Sequence, residues 1–126
     1  MSVLFKRCRH CGNLVEVIKN NAGVPVSCCG LTMPDLVPNT VEASGEKHKP
    51  MVAVGSGRVS VNVGSVNHPM LPEHYIEWIA LETDRGLHRR NLKPGEAPAA
   101  SFLLEDEIPV AVYAFCNLHG LWKTEL

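Results

Sequence analysis

The chain has 126 residues, of which 45% are hydrophobic and 20% are charged, and its formal net charge is -1. This length suits one ordinary domain, or a domain with a small extra module. The nearly neutral charge offers no general attraction for nucleic acid or for acidic membrane surfaces. No apolar run approaches the roughly 18 residues of a membrane span, and the opening "MSVLFKRCRHCG" lacks the apolar region of a signal peptide. We therefore predict a cytoplasmic protein with no nucleic-acid or membrane partner.

Four of the five cysteines fall within the first thirty residues, as the pair Cys8 and Cys11 and the adjacent pair Cys28 and Cys29. Neighbouring cysteines make a poor disulfide because the bridge would close a strained ring, and a reducing cytoplasm disfavours disulfides generally. Four thiolates suit a tetrahedral iron or zinc site. A segment of about 36 residues is too small to fold on apolar burial alone, and metal coordination can supply on the order of 10 kcal/mol. The spacing predicts a metal-stabilised module over residues 1–36.

The chain then changes character at a proline-rich segment, Pro34–Thr40, which we interpret as a linker. Residues 37–126 are rich in valine and in glycine and proline turn signals, which favours a small antiparallel sandwich. The run "RVSVNVG" alternates so that three side chains share one face: Val59, Val61 and Val63. The run "VAVYAFC" alternates in the same way, with these side chains on one face: Val110, Val112, Ala114 and Cys116.

Two further runs are less decisive. "HYIEWIALE" fits a strand that places His74, Ile76, Trp78 and Ala80 together, but it also fits a helix that starts at Pro72. The charged run "DRGLHRRN" is predicted to be a solvated loop.

The second candidate site combines a cysteine with histidines. Cys116 and His119 form a C-x2-H chelate at the end of the last alternating run. His48, His68 and His74 adjoin turn residues, so loops could aim their rings into a shared pocket. Taken singly, each histidine is more typical of a surface or core position. The two other histidines receive no ligand role: His10 lies between two cysteines, and His88 lies in the charged run.

Taken together, these segments resemble desulfoferrodoxin, the two-iron family of superoxide reductases. The matching pieces, in the family's order, are "CRHCGNLVEV", "CCG", "NTVEASGEKHKP", "VGSVNHPM", "EHYIEWIAL", "LKPGEAPAASF" and "CNLHGLWK". The resemblance implies an all-β chain. A small desulforedoxin-like or rubredoxin-like metal module occupies residues 1–36, and an immunoglobulin-like β-sandwich occupies residues 37–126.

The resemblance also implies two iron ions per chain. One is bound by four thiolates: Cys8, Cys11, Cys28 and Cys29. The other is bound by four equatorial imidazoles and one axial thiolate, with the sixth position open: His48, His68, His74, His119 and Cys116.

The activity implied by the resemblance is one-electron reduction of superoxide to hydrogen peroxide, in defence against oxidative stress. Lys47 is expected to attract superoxide and help deliver a proton, and the Glu46 carboxylate to occupy the open position once the iron is ferric. The four-cysteine iron would transfer electrons or stabilise the fold. A rubredoxin-like electron donor and a homodimer are also implied.

Two other functions are compatible with the cysteine and histidine patterns. One is a rubredoxin-like electron-transfer protein, in which the His/Cys site is structural. The other is a zinc-stabilised binding module without redox chemistry. Metal content and the visible spectrum distinguish all three.

Overall fold

A computed structural model describes residues 3–20 and 23–126. Residues 1, 2, 21 and 22 belong to the predicted 1–36 module and lie outside the described residues. The chain divides into two compact units, Met1–Val37 and Pro38–Leu126, and the division falls inside the predicted linker. In chain order the described elements are β1 (Phe5–Arg7), β2 (Leu14–Glu16), β3 (Ser27–Cys28), β4 (Leu31–Thr32), α1 (Gly45–His48), β5 (Pro50–Gly55), β6 (Arg58–Val63), β7 (Ile76–Thr83), β8 (Gly86–Asn91), β9 (Ala99–Leu103), β10 (Pro109–Cys116) and β11 (Gly120–Glu125).

The first unit contains two short antiparallel hairpins, β1–β2 and β3–β4. The β3–β4 turn has only two residues, Cys29 and Gly30, with φ angles of 54° and 72°. Two positive φ angles define the turn type whose twist suits a two-residue hairpin. A non-glycine residue in this region costs roughly 1–2 kcal/mol, so Cys29 occupies a position that local preference alone would not choose. The turn carries both adjacent cysteines at the tip of one hairpin.

The second unit is a sandwich of two antiparallel sheets. One sheet has the strand order β11-β10-β7-β8 and the other has the order β5-β6-β9. Their facing sides share a core that includes Val59 and Val61 of β6, Phe102 of β9, Leu81 of β7 and Val112 of β10. A sandwich of four and three strands is the immunoglobulin-like arrangement. The predicted all-β fold class is therefore confirmed.

The alternation predicted for β6 and β10 is seen in the structure, with one addition. Val59, Val61 and Val63 are all buried in the core. On β10 the last three residues of the predicted face belong to the core, whereas Val110 is 41% exposed. The opposite face of β10 is also buried, so this strand is covered on both sides. Such a strand tolerates polar side chains only where they have partners.

The helix alternative at Pro72 is wrong. Ile76–Thr83 forms β7, which is hydrogen-bonded to β10 on one side and β8 on the other. Two flanking strands pair with the backbone of this segment on both sides, which outweighs the local helical pattern.

The loop predicted for "DRGLHRRN" is also wrong. Gly86–Asn91 forms β8, an edge strand of the four-stranded sheet. Charged side chains on an edge strand discourage pairing with other sheets, so the charge run belongs to a strand rather than a loop. Nε2 of His88 in this strand lies 2.9 Å from a carboxylate oxygen of Glu107, and His88 belongs to neither candidate metal site. Among the described residues, no helix is long and apolar enough to cross a bilayer.

Candidate metal centres

The first candidate centre begins at the turn after β1. Cys8 is buried, and its sulfur accepts a hydrogen bond from the backbone N–H of Cys11 at 3.5 Å. The N–H of Gly12 donates to the carbonyl oxygen of Cys8 at 3.0 Å, and Gly12 has a φ of 81°. Glycine adopts this left-handed conformation without strain. The tight turn therefore holds the first two sulfurs on the same side of the backbone.

The β3–β4 turn brings the other two sulfurs to the same point. The sulfur of Cys28 lies 3.6 Å from that of Cys11 and 3.9 Å from that of Cys29, and all four sulfurs lie within 4.8 Å of one another. Four sulfurs bound tetrahedrally about 2.3 Å from one ion would be about 3.8 Å apart. The positive-φ turn thus explains how adjacent cysteines can serve one ion.

Without a cation, the clustered sulfurs oppose one another's ionisation. The N–H of Cys11 stabilises the Cys8 thiolate and lowers its pKa to about 6. Hydrogen bonding to the neighbouring Cys11 sulfur raises the pKa of Cys29 to about 12. A hydrogen bond with the same sulfur is also the largest cause of the raised pKa of Cys28. One negative sulfur therefore opposes ionisation of its neighbours. A bound cation removes this opposition, and a four-sulfur set selects iron or zinc.

The second candidate centre lies at one end of the sandwich, where loops and strand ends meet. Cys116 ends β10 and is fully buried, and His119 follows in the turn to β11. His48 ends the helical turn α1, while His68 and His74 flank the loop before β7. The structure brings all five predicted ligands together, with one donor atom of each within 4.8 Å of the others.

The four imidazoles form a square. Rings that are neighbours in the order His48, His68, His74 and His119 have centroids 4.5 to 5.1 Å apart and planes near perpendicular. The rings of His48 and His74 face each other across the square, 6.3 Å apart. Cys116 approaches from the core, with its sulfur 3.9 Å from Nδ1 of His119. This arrangement matches four ligands in a plane and one along its axis.

Hydrogen bonds determine which ring nitrogens face inward. Nδ1 of His48 lies 2.6 Å from the carbonyl oxygen of Ser44, and Nδ1 of His68 lies 2.7 Å from that of Pro69. A carbonyl oxygen only accepts, so each Nδ1 carries the proton and each Nε2 carries a lone pair. These two Nε2 atoms face each other at 3.1 Å. Two lone pairs at this distance repel unless a cation lies between them.

Other distances support the same fit. Nε2 of His48 lies 3.0 Å from Nδ1 of His119. Two nitrogens bound at right angles, each about 2.1 Å from one ion, would be about 3.0 Å apart. Nε2 of His74 is buried and has no hydrogen-bond partner among the described residues. A buried polar atom without a partner is costly, and a metal ion would supply one. The residues therefore fit a metal ion of the kind that imidazole and thiolate prefer.

Burial favours the neutral, metal-binding form of three of the imidazoles. It lowers the pKa of His68 to about 4 and also lowers the pKa of His48 and His74. Burial raises the pKa of Cys116, whereas the backbone of His119 and of Leu118 lowers it by a smaller amount. The thiolate form of this buried sulfur therefore needs a positive partner. Smaller contributions from the Lys47 charge lower the pKa of His48 and His74, so the field of Lys47 reaches the centre.

Sequence reasoning missed three residues that contact a ligand or the backbone beside one. Trp122 stacks on His48, the Asn117 side chain hydrogen-bonds the backbone on both sides of His74, and Gly64 packs against the turn that carries Glu46 and Lys47. The segments "CNLHGLWK" and "VGSVNHPM" contain all three, but neither spacing nor residue type indicated their contacts.

In comparison with known proteins, the family model matches the second unit of the chain. A model of the Desulfoferrodoxin family matches residues 40–125. The chain is 45% identical over 119 residues to a desulfoferrodoxin from Syntrophotalea carbinolica, which covers 94% of this chain and 93% of that relative. This chain belongs to the desulfoferrodoxin family. The predicted family and the prediction of two iron centres, one of each ligand type, are thereby confirmed.

Two solved structures extend the comparison to the fold. The superoxide reductase from Treponema pallidum superposes on this desulfoferrodoxin with a TM-score of 0.81 at 36% identity, covering 99% of this chain and 100% of that one. A superoxide reductase from Giardia intestinalis, described as a 1Fe-SOR, gives a TM-score of 0.55 at 32% identity, covering 64% of this chain and 99% of its own. The fold is therefore found both in chains of similar length and in a shorter one-iron form.

Proposed function

We propose that this desulfoferrodoxin reduces superoxide to hydrogen peroxide at the centre formed by four histidines and Cys116. The observation that carries this conclusion is the square of imidazoles with a buried thiol on its core side. The superoxide reductase activity predicted from the sequence is confirmed by the family and by the solved relatives. The predicted alternatives, a rubredoxin-like electron-transfer protein and a zinc-stabilised module, have no support in these relatives, which are a desulfoferrodoxin and a superoxide reductase.

We assign the metal ligands as follows. The first iron is held by four thiolates in the predicted 1–36 module: Cys8, Cys11, Cys28 and Cys29. The second is held in the predicted 37–126 sandwich domain: His48, His68, His74, Cys116 and His119. When bound, ferrous iron in the second centre supplies one electron and a coordination position for the anion. The inward-facing nitrogens and the buried sulfur support this assignment.

Cys116 acts as the electron-donating ligand on the core side. The backbone of His119 and Leu118 lowers the pKa of Cys116 and so favours its thiolate, against the larger effect of burial. A thiolate in this position increases electron density at the metal, as it does in thiolate-ligated haem proteins. The full burial of Cys116 excludes water and oxidants from the sulfur.

Lys47 and Glu46 act at the exposed side of the same centre. Both are exposed and lie on α1, directly before the ligand His48. The cationic Lys47 draws the superoxide anion toward the site, and water held by its ammonium group delivers one of the two protons that the product needs. Glu46 supplies a carboxylate for the oxidised resting state, and the hydroxyl of Ser44 lies 3.4 Å from it.

We assign electron transfer or structural support to the four-cysteine iron. The Giardia 1Fe-SOR covers 64% of this chain, which supports placing the reaction outside the first centre. Each turnover consumes one electron, so a small rubredoxin-like protein is the donor we propose. A homodimer and a role in superoxide detoxification follow from the family resemblance. A reducing cytoplasm suits a chain whose five cysteines form no disulfide.

The direct test compares wild type with Cys116→Ser. The wild-type chain should contain two irons, show a thiolate-to-ferric band on oxidation, and convert superoxide to peroxide without releasing dioxygen. Cys116→Ser should lose that band and lose activity by about 100-fold or more. A Cys116→Ser variant with iron in the centre and the wild-type rate would contradict the role of the thiolate. A wild-type chain that holds both irons and leaves superoxide unreacted would contradict the function.

A further inference from the structure

The side chain of Asn117 connects the loop of Cys116 and His119 to the loop of His74. Its Oδ1 accepts a hydrogen bond from the backbone N–H of Tyr75 at 2.9 Å. Its Nδ2 donates to the carbonyl oxygen of Glu73 at 3.0 Å. The backbone N–H of Asn117 also donates to the carbonyl oxygen of Tyr75 at 3.2 Å. Asn117 therefore binds the chain on both sides of His74.

We call these three hydrogen bonds from Asn117 to Glu73 and Tyr75 the Asn117 clamp. The clamp matters because no hydrogen bond to the ring of His74 is found among the described residues. His48 and His68 are each oriented by a hydrogen bond from Nδ1 to a backbone carbonyl. Within residues 3–20 and 23–126, no such bond is found for His74, and its Nε2 is buried without a partner. The orientation of a metal-binding imidazole is usually set by a hydrogen bond to its other nitrogen. For His74, the placement of the ring depends on the backbone that carries it.

The backbone of this loop is held from two sides. His74 exchanges two backbone hydrogen bonds with Leu71, at 2.9 and 3.0 Å. These bonds close the short loop, and the pairing of Ile76 with Cys116 joins the start of β7 to the end of β10. The three bonds from Asn117, which directly follows Cys116 in sequence, add a connection to the residues on both sides of His74. The backbone of Cys116 and the backbone of His74 are thereby tied together.

We propose that Asn117 is the positioning residue that orients His74 toward the metal. The carboxamide suits this role because its oxygen accepts from one residue while its nitrogen donates to another. Aspartate has nearly the same shape but no donor, so it would place a carboxylate oxygen against the carbonyl of Glu73. The proposal rests on metal binding at the His/Cys centre and does not depend on superoxide turnover.

The test measures iron retention in the full-length chain. Wild type, Asn117→Asp and Asn117→Ala are loaded anaerobically with ferrous iron and then exposed to a graded series of a competing chelator. Iron content and the absorption bands of the two centres are followed separately. Both variants should lose the His/Cys iron at about 10- to 100-fold lower chelator concentration than wild type. The thiolate-to-ferric band of the remaining iron should shift, while the four-sulfur iron should be unchanged.

Asn39→Ala is the matched control. The Asn39 side chain also makes two backbone hydrogen bonds, both to Lys123, at 2.9 and 3.1 Å, but neither flanks a ligand. It should lower the melting temperature while leaving the His/Cys iron and its band as in wild type.

Three outcomes would overturn the proposal. The first is an Asn117→Asp variant that keeps wild-type iron affinity and the wild-type band. The second is an Asn39→Ala variant that loses the iron as readily. The third is global unfolding of both Asn117 variants, which would make the residue structural. A wild-type chain that binds iron and fails to reduce superoxide would contradict the proposed function but not the clamp.

Discussion

The indole of Trp122 stacks on the imidazole of His48, with ring centroids 4.9 Å apart and planes 28° from parallel. The same indole donates from Nε1 to the carbonyl oxygen of His119 at 3.2 Å. One side chain therefore contacts two neighbouring ligands of the square. Trp122 is buried, so its surroundings change chiefly when the metal centre changes.

We expect Trp122 to report metal binding at the His/Cys centre through its fluorescence. The chain has two tryptophans, and Trp78 stacks on Phe115 instead of on a ligand. In a chain that already holds its four-sulfur iron, filling the second centre should quench mainly Trp122. Trp122→Phe should remove most of this quenching, whereas Trp78→Phe should preserve it. The reverse result would mean that the contact with His48 does not govern the emission.

Gly64→Ala should disturb the turn that carries Glu46, Lys47 and His48. A Cβ at position 64 would lie 2.5 Å from the carbonyl oxygen of Glu46 and 2.9 Å from that of Lys49. Real contacts are longer, and backbone atoms cannot move aside cheaply. Overpacking of this kind costs about 1–3 kcal/mol. We expect a loss of that size in chemical denaturation, together with weaker iron retention at the His/Cys centre.

Gly55→Ala is the control for Gly64→Ala, because a Cβ at position 55 meets no atom within 4 Å. It should leave both stability and iron retention near wild type. Equal effects of the two substitutions would show that the close packing at Gly64 is unimportant. The carbonyl of Glu46 also accepts from the N–H of Val66 at 3.0 Å, so the displaced turn would lose an existing hydrogen bond as well.

Cys11→Ser should separate the two centres. It removes one sulfur of the four-cysteine set, so iron content should fall from two to one per chain and the four-sulfur spectrum should disappear. Superoxide reduction should remain mostly intact, since all the residues assigned to the reaction follow position 45. Metal analysis and pulse radiolysis on the same sample make the measurement. A folded Cys11→Ser chain that keeps its second iron but is inactive would contradict this division of labour.

The four clustered cysteines, Cys116 and His119 could be predicted as ligands from their spacing, because two ligands on one tight turn can bind the same ion. His48, His68 and His74 have no such spacing, and the family resemblance assigned them. The adjacent pair Cys28 and Cys29 was recognised as unsuited to a disulfide. Its geometry, however, depends on positive φ angles at Cys29 and Gly30, which cysteine does not favour.

The contacts that orient the ligands could not be predicted in this way. Asn117 binds residues more than forty positions away. Gly64 matters because it has no side chain, which lets the backbone of Glu46 lie close to it. The undecided choice between strand and helix at β7 and the error at β8 have a related cause. Both segments are strands because of the strands beside them, and pairing of distant segments leaves only a weak trace in local pattern.

Lys47 and Glu46 are adjacent on α1, but we expect their substitutions to affect different steps. Superoxide is an anion, and a cation beside the open position raises the rate of encounter. Lys47→Ala should therefore slow the bimolecular step by about 10-fold or more and weaken its dependence on ionic strength. Glu46 is negative and cannot attract the substrate, so Glu46→Ala should leave the first reaction nearly unchanged. It should instead alter the ferric resting spectrum, since the role proposed for its carboxylate begins only once the iron is oxidised.

Pulse radiolysis of both variants at several salt concentrations compares the two roles directly. Lys93→Ala is the matched control, because Lys93 is an exposed lysine of the same unit that lies next to none of the five ligands in sequence. It should leave the rate and its salt dependence as in wild type, so any change in Lys47→Ala reflects local charge and not net charge. If Glu46→Ala slows the first encounter as much as Lys47→Ala does, the division of roles is wrong. If Lys93→Ala slows the first encounter as much as Lys47→Ala does, superoxide is attracted by the charge of the whole surface and not by Lys47.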